Sequence, residues 1–217
     1  MVKEHIMNYQ GIIFDLDGVL CSTDEYHYQA WKGLADSLGL AFDRQKNNRL
    51  RGVSRMASLD IVLEDYPEPL AEAEKLALAE QKNESYKRLL TRMSPADLPE
   101  AVKSTLLALR ARGLKLAIGS SSKNTPFILH QIGLDGFFDA VSDGNHISRS
   151  KPDPEVFLKA AQMLGLKPVD CLVVEDAVAG AEAGHRGGMD VACVGDAAQA
   201  KAGEYNLASV SGLLEIV

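Results

Sequence analysis

Short apolar runs recur along the chain between longer stretches of mixed polarity. Four of these runs end in polar residues or glycine: 11–14, 114–118, 171–174 and 190–194. Such runs are typical of buried strands in a parallel sheet. The stretches between them have helical patterns, and five of these patterns end in a glycine followed by an apolar residue, at Gly39, Gly113, Gly133, Gly165 and Gly188. Glycine at that position predicts a Schellman helix end, and strands that alternate with helices predict an α/β fold with a doubly wound parallel sheet.

The interval between the first and second predicted strands is longer than a parallel sheet requires. The first strand ends near Phe14 and the second begins near Leu114, whereas a strand–helix–strand unit needs roughly 30 residues. Three stretches in that interval have helical patterns: 26–38, 54–64 and 70–93. We therefore expect an all-helical cap domain at 23–94, inserted into a core domain formed by 1–22 and 95–217.

Two helices of the core have informative sequences. Asp153 before Pro154 predicts a helix that starts directly after Lys151, with Asp153 as the capping residue and proline at the first helical position. The helix expected after Asp176 contains Gly180 among several small residues. An interior helical glycine costs about 1 kcal/mol, so we interpret these small residues as sites of close packing against the sheet.

The chain is acidic, and its composition argues against several classes of function. It has 217 residues, a formal net charge of −7, a pI of about 5.3 and no run of Lys or Arg. This disfavours binding to nucleic acid or to a membrane surface, so an anionic ligand must be held by individually placed cations. Cys21, Cys171 and Cys193 lack the close pairing of a disulfide framework or zinc site. No apolar stretch reaches the roughly 18 residues of a membrane span, and we expect a cytoplasmic monomer.

Acidic residues follow two of the predicted strands at their carboxyl ends. Asp15 and Asp17 follow the first strand, and Glu175 and Asp176 end the strand at 171–174. Ligands bind at this edge of open α/β sheets, and adjacent acids repel each other unless a cation compensates. Taken singly, these acids, Lys151 and the hydroxyl-rich loop 120–124 are also explained by a turn, an exposed lysine and a helix cap. Taken together, they suit one hard cation with oxygen ligands, for which Mg²⁺ is the natural choice.

This combination of groups indicates phosphoryl transfer. A carboxylate that attacks a phosphate dianion meets repulsion of roughly 4 kcal/mol per charge pair, at about 4 Å and an effective dielectric near 20. Mg²⁺ and Lys151 would remove this obstacle. Asp15 can then form an aspartyl phosphate, which divides one transfer into two steps, while Asp17 moves the proton of the incoming or leaving hydroxyl.

Four segments together resemble the haloacid dehalogenase superfamily of phosphotransferases: 15–18, Ser120, Lys151 with Pro152, and 175–176. The cap segments 23–31 and 52–55, with 121–124, resemble the β-phosphoglucomutase family within it. The resemblance implies a Rossmann-like core, Asp15 as the nucleophile and Asp17 as the general acid and base. It also implies Mg²⁺ held by Asp15, the backbone carbonyl of Asp17, Glu175 and Asp176.

The resemblance further implies where a phosphorylated sugar would bind. Ser120 and Lys151 would hold the transferring phosphoryl group and balance its charge. Arg55 and the loop residues after Ser120 would grip the second phosphate, His27 and Lys82 would position Asp17, and Trp31 would shape the sugar pocket. The substrate-binding residues implied are Gly52, Val53, Ser54, Arg55, Trp31, His27 and Lys82 in the cap and Ser120, Ser121, Ser122, Lys123, Asn124 and Lys151 in the core.

The reaction implied by this resemblance interconverts β-D-glucose 1-phosphate and glucose 6-phosphate. It proceeds through an aspartyl-phosphate enzyme and β-glucose 1,6-bisphosphate, with glucose 1,6-bisphosphate as activator. Two alternatives stay open: a Mg²⁺-dependent phosphatase of a small sugar phosphate, and a catalytically silent phosphosugar-binding module. Departures from the family pattern at Ser22, at Pro99-Glu100 and at 143–146 leave the sugar itself open, and simple core packing stays an alternative for His27 and Trp31.

Overall fold

A parallel β-sheet lies at the centre of the protein, as seen in a computed structural model that describes residues 9–50 and 53–217. Within these residues the sheet has six strands in the order β3-β2-β1-β4-β5-β6, and every neighbouring pair is parallel. The strands are β1 (Gly11–Phe14), β2 (Lys115–Gly119), β3 (Ala140–Ser142), β4 (Cys171–Glu175), β5 (Asp190–Cys193) and β6 (Tyr205–Asn206). The α/β class and the doubly wound parallel sheet are therefore confirmed.

Helices cover both faces of this sheet because alternate strand residues point to opposite sides. Ile12 and Phe14 of β1 belong to one buried cluster with helices α5 and α6, whereas Ile13 belongs to a second cluster with α7 and α8. These core helices are α5 (Glu100–Ala111), α6 (Thr125–Gln131), α7 (Glu155–Leu164), α8 (Val178–Arg186) and α9 (Gly195–Gln199). No helix in the described part of the chain has the length and apolar character that a membrane crossing requires.

The helix ends follow the glycine pattern of the sequence. All five predicted stop glycines have φ between 68° and 84°, the left-handed region that glycine tolerates best. In each case the next residue donates its N–H to a carbonyl five residues back, as Leu166 does to Ala161 at 3.0 Å. The Schellman ends are therefore confirmed.

The predicted start of α7 is wrong by one residue: Pro154 occupies the cap, and Asp153 instead accepts the N–H of Glu155 at 3.0 Å.

Of the five α-helices described between β1 and β2, the first four form the inserted region. They are α1 (Asp24–Ser37), α2 (Arg44–Asn48), α3 (Arg55–Val62) and α4 (Glu72–Leu90). Apolar side chains of α1, α3 and α4, together with Phe42 from the segment before α2, form a separate buried cluster that includes Trp31, Leu34, Leu59 and Val62. This separate cluster supports a cap domain at 23–94 and a core domain at 1–22 and 95–217, although these boundaries stay a prediction.

Candidate active site

The carboxyl ends of β1 and β4 meet where the strand order reverses. Phe14 of β1 lies opposite Val174 of β4, and the Asp15 N–H continues the pairing by donating to the Val174 carbonyl at 2.9 Å. Asp15 and Glu175 therefore leave neighbouring strands at the same edge, with 8% and 1% of their surfaces exposed. Doubly wound sheets bind ligands at this position, which is also the position that the sequence predicted.

Lys151 joins the two buried carboxylates. Its Nζ lies 2.6 Å from Asp15 Oδ1 and 2.5 Å from Glu175 Oε1, over the ring of Phe157 at 4.7 Å from the centroid. Burial opposes a charge on Lys151, but attraction to Asp15 and Glu175 outweighs it and raises the pKa of this lysine. Lys151 is therefore an ammonium at neutral pH, held next to the predicted nucleophile, where it can neutralise an incoming phosphoryl group.

Asp15, Glu175 and Asp176 form a carboxylate cluster in which one oxygen of each lies within 4.8 Å of the others. Burial, followed by repulsion from Asp15 and Glu175, raises the pKa of Asp176 to about 8. Burial also raises the pKa of Glu175. Converging, poorly compensated carboxylate oxygens are the donor set that a hard divalent cation takes. The cluster thus fits Mg²⁺, and the carboxylate of Asp17 is not a member of it.

Two glycines make room for this cluster. A Cβ on Gly18, which has φ +84°, would lie 2.1 Å from Asp176 Oδ2, and a Cβ on Gly180 would lie 1.9 Å from Glu175 Oε1. No side chain heavier than hydrogen fits at either position unless the neighbouring carboxylate moves. Close packing against the sheet, which the sequence suggested for the small residues of α8, applies at Gly184, where a Cβ would lie 2.6 Å from Val191. At Gly180 the constraint is the candidate metal ligand itself.

The Asp17 side chain turns away from the cluster and is held by Thr23. Thr23 donates its backbone N–H to Asp17 Oδ1 at 2.7 Å and its hydroxyl to Oδ2 at 2.5 Å. The Tyr86 hydroxyl in turn donates to the Thr23 hydroxyl at 2.9 Å. Burial raises the pKa of Asp17 to about 6, although both Thr23 bonds oppose the rise. A carboxyl group whose pKa lies close to neutral can donate and recover a proton efficiently.

His27 and Lys82 of the cap lie on the far side of Asp17. His27 Nε2 is 3.9 Å from Asp17 Oδ2, and its Nδ1 is 2.9 Å from Lys82 Nζ. Burial and the nearby charges of Lys82 and Arg55 hold the pKa of His27 well below its usual value. Burial, then the charge of Arg55, lowers the pKa of Lys82 to about 7. If Lys82 donates to Nδ1 of this neutral ring, the ring proton is on Nε2, the nitrogen that faces Asp17.

Trp31 lies in the buried cluster of the cap rather than at an open surface. Only 3% of Trp31 is exposed, and Lys82 Nζ lies 4.7 Å from the centroid of its ring. Core packing accounts for this placement, and the ring also supports the lysine through a cation–π contact. A role for Trp31 in shaping the sugar pocket stays a prediction.

The loop 120–124 is ordered by its own hydroxyl groups and by the loop after β3. Ser120 Oγ accepts the N–H of Ser122 at 3.2 Å, and Ser122 Oγ accepts the N–H of Asn124 at 3.2 Å. Gly144 donates its N–H to the Ser122 carbonyl at 3.2 Å, and a Cβ on Gly144 would lie 2.4 Å from the Ser121 carbonyl oxygen. The segment 143–146, which departs from the family pattern, therefore packs against this loop. The side chain of Lys123 is exposed.

Arg55 of the cap and Asn124 of the core converge on Asn83. Arg55 Nη2 donates to Asn83 Oδ1 at 2.9 Å, and Asn124 Nδ2 donates to the same oxygen at 3.1 Å. Of the other predicted cap residues, Ser54 caps α3 by accepting the N–H of Ala57 at 3.2 Å, and Val53 is exposed. Gly52 lies outside the described residues.

A family model for the haloacid dehalogenase-like hydrolases matches residues 9–188, which include the carboxylate cluster, Lys151 and the cap. The chain belongs to the haloacid dehalogenase-like hydrolase family. The resemblance on which the sequence argument depended is thereby confirmed.

Relatives within the family have more than one activity. The enzyme is 39% identical over 188 residues to the β-phosphoglucomutase of Bacillus subtilis, covering 86% of this chain and 83% of the relative. It is 35% identical over 185 residues to a fructose-1-phosphate phosphatase of Escherichia coli, covering 84% and 94% of the two chains. A crystal structure of a β-phosphoglucomutase from Clostridium difficile superposes with a TM-score of 0.88 at 35% identity, covering 94% and 93%.

Sequence reasoning missed three residues of this haloacid dehalogenase-like site. Thr23 precedes α1, where a helix-capping role is the ordinary expectation, and yet its hydroxyl binds Asp17. Tyr86 and Asn83 lie on α4, where an apolar or polar helical position carries no signal of function. The position of Asn83 directly after Lys82 was a hint, but its partner Asn124 is 41 residues away and could not be inferred from a helical pattern.

Proposed function

We propose that the enzyme is a phosphosugar mutase that interconverts β-D-glucose 1-phosphate and glucose 6-phosphate. The observation that carries the proposal is a second group of hydrogen-bond donors, separate from the contacts of Lys151. Arg55 of the cap and Asn124 of the core reach one common oxygen, whereas Lys151 lies against Asp15. A mutase must hold one phosphate while it transfers the other, and a phosphatase needs a single phosphate site. Arg55 suits the holding role because its planar fork matches phosphate oxygens.

The proposed reaction begins with Asp15 carrying a phosphoryl group. A hydroxyl of the bound sugar phosphate gives its proton to Asp17 and attacks the phosphorus, so that the bond to Asp15 breaks and β-glucose 1,6-bisphosphate forms. The bisphosphate then turns around within the site. Asp15 attacks the other phosphate, the phosphorus–sugar oxygen bond breaks, and Asp17 returns the proton to the leaving oxygen. Free glucose 1,6-bisphosphate acts as the activator because it phosphorylates Asp15 by this last step.

The side chains around Asp15 and Asp17 prepare both steps. Lys151 holds a positive charge against Asp15, and with Ser120 it would balance the charge of the transferring phosphoryl group. Thr23 fixes the carboxylate of Asp17, and the His27–Lys82 pair lies against its outer face. The cap supplies these last residues, so its closure would complete the site and exclude water.

Mg²⁺ is the proposed cofactor. The carboxylates of Asp15, Glu175 and Asp176 would hold it together with the backbone carbonyl of Asp17. When bound, it would supply positive charge that offsets repulsion between the carboxylates and the phosphate dianion. A small phosphorylated sugar is the proposed ligand. A cytoplasmic location stays our prediction, supported by three thiols that are all free, and a monomer also stays a prediction.

A coupled assay for glucose 6-phosphate tests the proposed activity. It contains β-D-glucose 1-phosphate, Mg²⁺ and a trace of glucose 1,6-bisphosphate, with Asp15→Asn as the control. We expect turnover by the wild type and none by Asp15→Asn, because an amide cannot accept the phosphoryl group. A wild type that makes no glucose 6-phosphate in this assay would overturn the proposal.

A phosphatase of a small sugar phosphate is the second candidate. It is favoured by the similarity to the Escherichia coli fructose-1-phosphate phosphatase, which covers 94% of that relative. In this reaction water replaces the sugar hydroxyl and discharges the aspartyl phosphate at Asp15. The same assay separates the two activities, because release of inorganic phosphate without glucose 6-phosphate identifies the phosphatase. A silent binding module needs no nucleophile, and the pairing of Asp15 with Lys151 argues against it.

A further inference from the structure

Asn83 occupies a buried position between the cap and the core. It lies on α4, and 7% of its surface is exposed. Its carboxamide oxygen accepts one hydrogen bond from within the cap, from Arg55, and another from the core, from Asn124. These two donors are the ones that the proposed function assigns to the distal phosphate.

The orientation of the Asn83 amide is fixed by its own neighbours. Asn83 Nδ2 donates to Glu80 Oε1 at 3.3 Å, and the second arm of Arg55 donates through Nη1 to Glu80 Oε2 at 3.3 Å. A flipped amide would direct its NH₂ group at two donors and its oxygen at a carboxylate, so the hydrogen-bonding network excludes it. Arg55 is therefore held at both arms, with Nη2 directed at a neutral acceptor.

We propose that Asn83 is a positioning residue that sets Arg55 and Asn124 at the spacing of a single phosphate group. This inference rests on the proposed function and adds a residue to it. One oxygen that accepts both donors at 2.9 and 3.1 Å brings them as close together as one phosphate requires. Arg55 belongs to the cap and Asn124 to the core. Without Asn83, nothing would hold these two side chains together before binding, and a phosphate would have to order them at an entropic cost.

The neutral charge of the Asn83 amide is essential to this role. The Arg55 guanidinium binds a phosphate oxygen more strongly than a carboxamide oxygen, because the phosphate oxygen carries negative charge and two phosphate oxygens match the two arms of the guanidinium. A phosphate oxygen therefore displaces the carboxamide oxygen readily. A carboxylate at the same position would keep Arg55 for itself and would repel the phosphate.

Steady-state kinetics of Asn83→Asp and Asn83→Leu test this role. We expect Asn83→Asp to raise KM for β-D-glucose 1-phosphate at least about tenfold, the factor for one hydrogen bond to a charged group. Asn83→Leu removes the acceptor without adding a charge and should raise KM less. Phosphorylation of Asp15 by acetyl phosphate, which has no distal phosphate, should stay within about twofold of wild type in both variants. The matched control is Glu84→Gln, the next residue of α4, whose partner is Lys87 on the exposed face.

Several outcomes of these measurements would overturn the role of Asn83. An unchanged KM in Asn83→Asp, or an equal loss with acetyl phosphate and sugar phosphate, rules out positioning of the distal donors. A double-mutant cycle gives an independent readout: if Asn83 acts through Arg55, Asn83→Asp adds little in an Arg55→Ala background. Effects that multiply in that cycle would refute the coupling.

This experiment stays informative if the mutase proposal itself fails. KM for the sugar phosphate can be measured through release of inorganic phosphate as well as through glucose 6-phosphate. A wild type that releases only phosphate overturns the mutase, while the contrast between sugar phosphate and acetyl phosphate still decides the role of Asn83. The two failures therefore have different signatures.

Discussion

The carboxylates of the candidate metal site depend on neighbours that have no side chain. Gly18 and Gly180 leave the space that Asp176 and Glu175 occupy, with a Cβ excluded at 2.1 and 1.9 Å. Gly180 also lies inside α8, where alanine would be the better helix former. Local helix stability is thus given up at this position in favour of the geometry of Glu175.

Gly180→Ala should therefore weaken Mg²⁺ binding, because the added methyl displaces the Glu175 carboxylate. We expect affinity for Mg²⁺ to fall about 10- to 100-fold, the usual effect of disturbing the support of a metal ligand. The Mg²⁺ dependence of turnover and calorimetric titration both measure it. Gly33→Ala, inside α1, is the matched control because a Cβ there meets nothing within 4 Å among the described residues. Equal Mg²⁺ affinity in the two variants would contradict this interpretation.

How far single residues could be predicted depended on where they lie. Asp15 and Glu175 end buried strands, and the carboxyl edge of an open sheet collects such residues whatever the rest of the chain does. Asn83 and Thr23 lie in the inserted region, and each acts through a partner that only the tertiary structure brings near. The sequence pattern around a helical or capping residue does not change with the presence of such a partner, so the pattern could not reveal it.

At the scale of elements, the sequence predicted those helices and strands that have a clear local pattern and missed the short ones. The five glycine helix ends were predictable because glycine followed by an apolar residue specifies the backbone locally. The strands β3 and β6 have only three and two residues, too few for an apolar pattern. The helix α2 has five polar residues, of which only Asn47 is buried, so it shows no hydrophobic periodicity.

The segment that leads to Lys151 depends on one side chain of α7. Glu155 Oε2 accepts the N–H of Ser148 at 3.0 Å, the hydroxyl of Ser148 at 2.9 Å and the N–H of Arg149 at 2.9 Å. Lys159 lies 2.9 Å from its other oxygen. Lys159, followed by these donors, lowers the pKa of Glu155 from 4.5 to about 2. The charged form of Glu155 is therefore the one that anchors this loop.

Glu155→Gln should lower the free energy of unfolding in a pH-dependent way. The pKa of Glu155 is depressed in the folded state, so its stabilising effect is complete above 4.5 and is lost as the pH falls towards 2. The gap between wild type and variant should be largest near neutral pH and should shrink as the pH falls. Urea unfolding at about pH 7 and about pH 3 measures the gap. Glu182→Gln, which removes an exposed partner of Arg186, is the control, and a gap that widens in acid would refute the assignment.

At the scale of the whole molecule, the inserted helices and the sheet both contribute side chains to one candidate site. The cap has its own buried cluster. Four of its residues contact the core directly or through one another: Thr23, His27, Lys82 and Asn83. The sequence predicted that such an insertion exists, because the interval between the first two strands was too long. It could not predict the strand order, since apolar runs show which residues are buried and not which strands become neighbours.

Arg55→Ala should reduce turnover of the sugar phosphate without reducing phosphorylation of Asp15 by a small donor. We expect turnover of β-D-glucose 1-phosphate to fall about 10- to 100-fold, because charge-assisted bonds to the distal phosphate are lost. Phosphorylation of Asp15 by acetyl phosphate should change little, since that donor does not reach the cap. Arg49→Ala is the matched control, a cap arginine paired with Glu64 at 2.7 Å. Equal loss with both phosphate donors would show that Arg55 supports the cap and not the distal phosphate.

The central place of β1 has a consequence for biosynthesis. Among the described strands β1 leaves the ribosome first, and its partner β4 follows about 160 residues later. At roughly 5–20 residues per second, one edge of a fully buried strand waits about 10 to 30 seconds for its partner. During the synthesis of these residues the nascent chain carries an apolar strand with an unpaired edge, which needs protection from aggregation. Asp15 therefore meets Lys151 and Glu175 only after these much later segments have been synthesised.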